Sequence, residues 1–358
     1  MRKSEFKAAF ETHATAKVAK AMNEMGRNRE PFFFLFDFLL KKPVLIPLKN
    51  WSSVNAHLQM PGWNRPSVEF LPAIPPKFCW ETYPVDFDSY KKAFDRVQKE
   101  IRFGNSYLLN LTQPTKVVSN LSLQDLYHHS DAPFKLYWND EFVSFSPERF
   151  VQVKGNRIET HPMKGTIAAN IPNAAQVILA DRKEMAEHYT IVDLLRNDLS
   201  TVAKKVRVNN FRYLSEINTH KGKLLQVSSE ISGILPDDWR AHIGNWFVKL
   251  LPAGSICGAP KKKTVEIITE AEGYERGYYT GVFGIFDGEN LDSAVAIRYL
   301  ENKGGNTYFK SGGGITALSS AHTEYQEMLD KIYVPINRNH LHQTGSGSKF
   351  GLAPEAIG

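Results

Sequence analysis

The chain has 358 residues, 44 Lys and Arg against 38 Asp and Glu for a net charge of +6, and two cysteines, Cys79 and Cys257. That length can bury a large core without staples, and two cysteines with no metal-like spacing exclude a disulfide framework and fit a reducing compartment. The cations are scattered and not gathered into one stripe with stacking aromatics, so nucleic acid is not an expected partner, whereas a modest positive field suits small anionic substrates.

The start, "MRKSEFKAAFETHATAKVAK", is helix-like and polar; with acidic residues among its lysines and no apolar run it does not read as a secretory signal, and a cytoplasmic location is the default. "PFFFLFDFLLKKPVLIPL" is interrupted by Asp37, Lys41, Lys42 and prolines, so no membrane span is expected; it reads as two buried strands around a "KKP" turn. "NRPSVEFLPAIPPKF" reads as a connecting segment, which makes residues 1–85 an N-terminal part packing on a main unit of residues 86–340. In "DFDSYKKAFDRVQKEIRFGN", Tyr90, Phe94, Val97 and Ile101 fall at helical spacing behind a capping Asp or Ser, with Gly104 as the stop. "SYLLNLTQPTKVV" follows as a strand, and "VQVKGNRIET" is strand-like ahead of "HPMKGT", where Lys164 stands between an apolar residue and a glycine–threonine turn. "KEMAEHYTIVDLLRNDLSTVAKK" predicts a second strong helix and "HTEYQEMLDKIYVPI" a third. "YTGVFGIFDG", "LDSAVAIRYLE" and "NTYFKSGGGIT" alternate like antiparallel strands joined by glycine turns, an α+β layout and not a regular βαβ winding. Residues 341–358 read as a flexible tail.

Helical spacing puts Glu184 and Glu187 on one face, and Glu324 and Glu327 repeat that offset. Opposed, the two faces gather four carboxylates, whose charge calls for a cation, and magnesium is the natural one for oxygen ligands. "GSICGAPKKK" lacks phosphate-loop spacing but offers a turn with Pro260 placed to open a helix, whose N–H groups suit a carboxylate. The glycines of "SGGGIT" let a ligand approach the main chain, and Arg298, inside the apolar "AVAIRYL", wants a carboxylate or phosphate partner.

Together "SPERF", "HPMKGT", "AEHYTIVDLLRNDL", "GSICGAPK", "YYTGVFGIF", "AIRYL", "SGGGI" and "EYQEMLDK" resemble, in family order over about residues 86–335, the chorismate-utilising enzymes. The resemblance implies two packed antiparallel sheets flanked by helices. It implies magnesium held by Glu187 and Glu327, with Glu184 and Glu324 supporting through water. It implies a substrate cleft of Arg298, Tyr279, Ser255, Ser311, Gly312, Gly313, Gly314 and Lys331. Lysine at position 164 resembles the aminodeoxychorismate synthases, where anthranilate synthases carry alanine. This implies that the Lys164 amine attacks C2 of chorismate as the C4 hydroxyl leaves, Glu148 acting as acid–base partner and Asn110 orienting the amine.

Two departures sharpen that expectation. Leu108 stands where isochorismate and salicylate synthases carry a water-activating lysine, and leucine takes no proton. Gln226 stands where the family commonly has a histidine tied to pyruvate elimination in anthranilate synthases. The expected reaction is therefore amination of chorismate to 4-amino-4-deoxychorismate, towards p-aminobenzoate and folate. Ammonia would come from a separate glutamine amidotransferase subunit, since the chain has no "G-x-C-x-G" nucleophile turn, and an aminodeoxychorismate lyase would act downstream. The alternatives are anthranilate synthase component I and an inactive binding protein with the same fold. The N-terminal part reads as shorter than the family's usual region, so a tryptophan-binding regulatory pocket is not among the expectations.

Overall fold

The computed structural model describes residues 12–64, 78–219 and 222–336. Most of the proline-rich connecting segment, the first eleven residues and the tail 341–358 lie outside the described residues. In chain order the strands are β1 (Phe32–Phe36), β2 (Val44–Pro47), β3 (Ala56–Met60), β4 (Trp63–Asn64), β5 (Trp80–Tyr83), β6 (Leu108–Ser119), β7 (Phe134–Trp138), β8 (Phe142–Ser146) and β9 (Arg149–Lys154). They continue as β10 (Arg157–Thr160), β11 (Met163–Ala168), β12 (Lys204–Thr219), β13 (Gly222–Ile234), β14 (Gly258–Ala259), β15 (Val282–Phe286), β16 (Leu291–Val295), β17 (Tyr299–Lys303) and β18 (Asn306–Ile315).

Every pairing is antiparallel, in two sheets. One runs β11-β13-β10-β9-β16-β15-β1-β2 with β12 on β13; the other runs β14-β6-β18-β17-β8-β7-β3-β4 with β5 on β6. The apolar run at 32–36 becomes β1, wholly buried between β15 and β2, as an uninterrupted apolar stretch does when both faces of a strand are covered. Its alternation assigns the faces. Phe33 and Leu35 pack against Leu136, Trp138 and Phe142 of the other sheet, while Phe34 and Phe36 pack on Phe247 of a covering helix. Truncating one of these rings costs about 3–5 kcal/mol. The strands of residues 32–83 are thus woven into both sheets. The expected "KKP" turn is held by Asp37, whose carboxylate accepts the Lys41 and Lys42 N–H groups. Among the described residues no helix is long and apolar enough to cross a membrane.

The helix expected after Asp86 runs Phe87–Arg102, capped by the Asp86 side chain and stopped at Gly104 with φ +78°. Five expectations are corrected. The helix Arg182–Ser200 ends five residues early, where Thr201 and Val202 lead into β12, and the helix Ala321–Asp330 stops before the β-branched stretch ahead of Pro335. "HPMKGT" is a strand with a bulge at Gly165, φ +77°, and no turn. "SGGGI" is strand interior, Gly312, Gly313 and Gly314 pairing with Thr112, Leu111 and Asn110. "LDSAVAIRYLE" is two strands on different sheets, joined by a crossing in which Arg298 takes φ +50°. The segment from β8 to β9 crosses beside it, with the Phe145 N–H donating to the Arg298 carbonyl.

Candidate active site

The bulged strand and the glycine strand meet at the carboxylate helices. Asp181 caps Arg182–Ser200 by accepting the Glu184 N–H at 2.9 Å, which sets Glu184 and Glu187 on the first turns. The Glu184 carboxylate lies 3.2 Å from the position a Cβ on Gly165 would occupy, so the bulge admits the helix to β11. Lys164, one residue earlier, donates its Nζ to Glu187 Oε2 at 3.3 Å. Opposite, Ser320 caps Ala321–Asp330. Glu327 Oε1 and Glu324 Oε2 reach 3.0 and 3.3 Å from where a Gly313 Cβ would stand, and at Gly314 the corresponding neighbours are Leu108 Cδ1 at 3.1 Å and Lys164 Nζ at 3.6 Å. The absent side chains of two glycines are what lets the lysine and the second acidic pair approach one strand.

The electrostatics agree with that convergence. Burial raises the Glu184 pKa, and the charges of Glu187, Asp181 and Glu327 add to it against the opposing Lys164. Lys331 donates to Glu327 Oε1 at 2.6 Å and to the Gly312 carbonyl at 2.9 Å. Glu148, in the β8–β9 crossing, accepts the Ser255 hydroxyl at 2.6 Å. Burial pushes its carboxyl above the usual range, with Ser255 and then Lys164 pulling the other way. Asn110 faces Gly314 in register, and its side-chain oxygen is buried with no hydrogen-bond partner among the described residues. Because the Gly312 carbonyl turns towards Lys331 and away from β6, strand alternation turns the N–H groups of Gly312 and Gly314 to that side too.

The remaining expected residues are already engaged. Ser311 donates its hydroxyl to the Met328 carbonyl, which docks the second acidic helix on β18. Arg298 donates to the Lys331 carbonyl at 3.2 Å and lies over the Tyr333 ring. Tyr279 is buried within reach of the Arg298 charge, its hydroxyl pKa raised chiefly by desolvation. Gln226 sits on β13 opposite Thr166 and Ser215.

Sequence reading missed two buried ion pairs beside the site. Lys261 meets Asp198 at 2.7 Å next to Gly254, and Arg276 meets Glu272 at 2.6 Å. The signal for the second was an Arg four residues after a Glu among tyrosines in "EAEGYERGYY". Among the described residues no three His, Cys, Asp or Glu side chains form a closed metal cage. The carboxylates of Glu324 and Glu327 fill the space that the missing Gly313 side chain leaves, and such oxygens are the ligand type a hard divalent cation takes together with water.

A glycine strand approached by a lysine and by glutamates from two helices, with a part-buried arginine at the sheet crossing, belongs to an enzyme class, and the chain is a member of it: residues 71–337 match the chorismate binding enzyme family. The chain is 51% identical over 314 residues to an uncharacterized PabA-like protein of Haemophilus influenzae, covering 88% of this chain and 95% of that one. It is 33% identical over 259 residues to aminodeoxychorismate synthase component 1 of Salmonella typhimurium, covering 68% of this chain and 56% of that protein. MenF, the menaquinone-specific isochorismate synthase of Escherichia coli, shares the fold at a TM-score of 0.66 with 17% identity, over 88% of this chain and 80% of that one.

Proposed function

We propose that the chain aminates chorismate with ammonia to 4-amino-4-deoxychorismate. The observation that carries this reading is the Lys164 amine, turned towards Glu187 and the glycine strand at Gly314, with its side chain 26% exposed. In its neutral form Lys164 forms a C–N bond to C2 of the ring, the double bonds shift, and the C4 hydroxyl leaves as water with a proton from Glu148. Ammonia then bonds to C4, the double bonds shift back, and the Lys164 amine departs from C2, so one water is lost for one ammonia gained. Asn110 orients the amine, while Arg298, Tyr279 and the N–H groups of Gly312 and Gly314 receive the enolpyruvyl carboxylate. Glu187 and Glu327 would hold magnesium, with Glu184 and Glu324 supporting through water, and its charge when bound would favour the ring carboxylate and the departing hydroxyl. Leu108 at the cleft supports amination over hydrolysis, since it cannot activate water.

The test is purified chain with chorismate, magnesium and an ammonium salt at alkaline pH. The expected product has an amino group in place of the hydroxyl and keeps its pyruvyl group until an aminodeoxychorismate lyase is added. Glutamine as sole nitrogen source should give nothing until an amidotransferase subunit is supplied. Immediate pyruvate release with a 2-amino product would point to anthranilate synthase chemistry, and unconsumed chorismate would sink the reading.

A further inference from the structure

Strand β6 has a hole in its pairing. On one side β18 runs along it from Leu109 to Val117, but on the other β14 covers only Leu108 and Leu109 and β5 only Lys116–Ser119. Among the described residues no strand covers 110–115 there, and buried main-chain groups need partners. Two side chains supply them at Asn110 and Thr112. Glu272 Oε1 accepts the Thr112 N–H at 2.8 Å and its hydroxyl at 2.7 Å, while Arg276 Nη2 donates to the Asn110 carbonyl at 2.7 Å.

The two are locked to each other through Arg276 Nε to Glu272 Oε2 at 2.8 Å and Nη2 to Oε1 at 2.6 Å, with side chains only 2% and 1% exposed. The remaining guanidinium nitrogen donates to Thr280 Oγ1 at 3.2 Å, and Thr280 in turn donates to the Tyr279 carbonyl. Thr280 holds φ +60°, a strained conformation for a β-branched residue, so something must hold it there. A buried ion pair is weak evidence of stability, because apolar residues of similar volume often serve as well. Its value here is geometric: one planar fork reaches Glu272, Asn110 and Thr280 at once.

We infer that the Glu272–Arg276 pair stands in for a missing strand and that Arg276 is a positioning residue, fixing Asn110 opposite Gly314 and Tyr279 beside Arg298. The inference rests on the proposed amination for its kinetic readout and on backbone protection for a readout that does not. Arg276→Lys keeps a cation for Glu272 but loses the fork; Glu272→Leu with Arg276→Met removes both charges and keeps the volume. Hydrogen exchange should rise at least about tenfold for the amides of 110–112 and 280, with β1 and β15 unchanged. In the ammonia assay kcat should fall at least about tenfold, and Arg276→Lys should add nothing once Asn110→Ala is present, because residues acting through one another are not additive.

Unchanged exchange at 110–112 overturns the inference whatever chorismate does. So does a loss that multiplies with that of Asn110→Ala, or failure of both variants to fold, which would make the pair structural only. If the unaltered chain leaves chorismate untouched while exchange responds as stated, the amination reading falls and the strand-substitute role stands.

Discussion

Lys164 is where residue chemistry and family choice meet. A lysine is ordinarily a solvated surface charge, yet this one points at Glu187 across a strand bulge that a larger residue than Gly165 would strain. Lys164→Ala should lower ammonia-dependent turnover about 10²-fold or more while the fold persists, with residual product shifting towards the 2-amino isomer, read by chromatography against standards. Unchanged rate and product would return Lys164 to the surface class. Glu148 gives a pH signature. Its raised pKa means that it keeps its proton to higher pH than an ordinary carboxyl, so the donating form is present below that pKa and lost as pH rises through it. The limb of kcat/KM against pH should lie alkaline of the usual carboxylate range and vanish in Glu148→Gln. A limb that persists in the variant belongs to another group.

At the scale of single elements, what was legible followed from periodicity and what was lost followed from context. Tyr90, Phe94, Val97 and Ile101 announced their helix, and all four are buried. Arg298 did not announce its crossing, because "AVAIRYL" is apolar on both sides of it and reads as one strand, and only the geometry of two packed sheets demands the bend. The site's acidic pairs were legible from spacing, whereas the Glu272–Arg276 pair was not, since a pairing hole in β6 is a property of the assembled sheet. Strand β7 hides a similar surprise: Lys135 is buried, donating to the carbonyls of Tyr127 and Ser130, with its pKa lowered to about 8 by desolvation against the opposing charge of Asp131. Between pH 8 and 10.5 the unfolded chain holds this proton and the folded chain does not, so stability should climb with pH across that window. The contribution is at most about 3 kcal/mol. Denaturant unfolding should show a shallower pH slope in Lys135→Met than in the unaltered chain; equal slopes would disprove the assignment.

For the whole molecule, the two sheets share one core, the strands of residues 32–83 lie within both of them, and the site forms where β18, β11 and the two acidic helices converge. The three glycines of β18 then make a graded series within one stretch of chain. A Cβ at Gly312 would stand 2.0 Å from the Leu111 carbonyl oxygen and 2.6 Å from Thr112 Cα, rigid backbone that cannot give way. At Gly313 it would meet the movable end of Glu327, and at Gly314 the tips of Leu108 and Lys164. In a saturation library scored once for cellular abundance and once for growth dependent on the enzyme, alanine at 312 should be depleted in both screens. Alanine at 313 and 314 should survive the first and fail the second. Three adjacent codons would thus separate the inheritance of a fold from the inheritance of an activity, and a drifting population should be able to lose the second at 313 or 314 while still carrying the first.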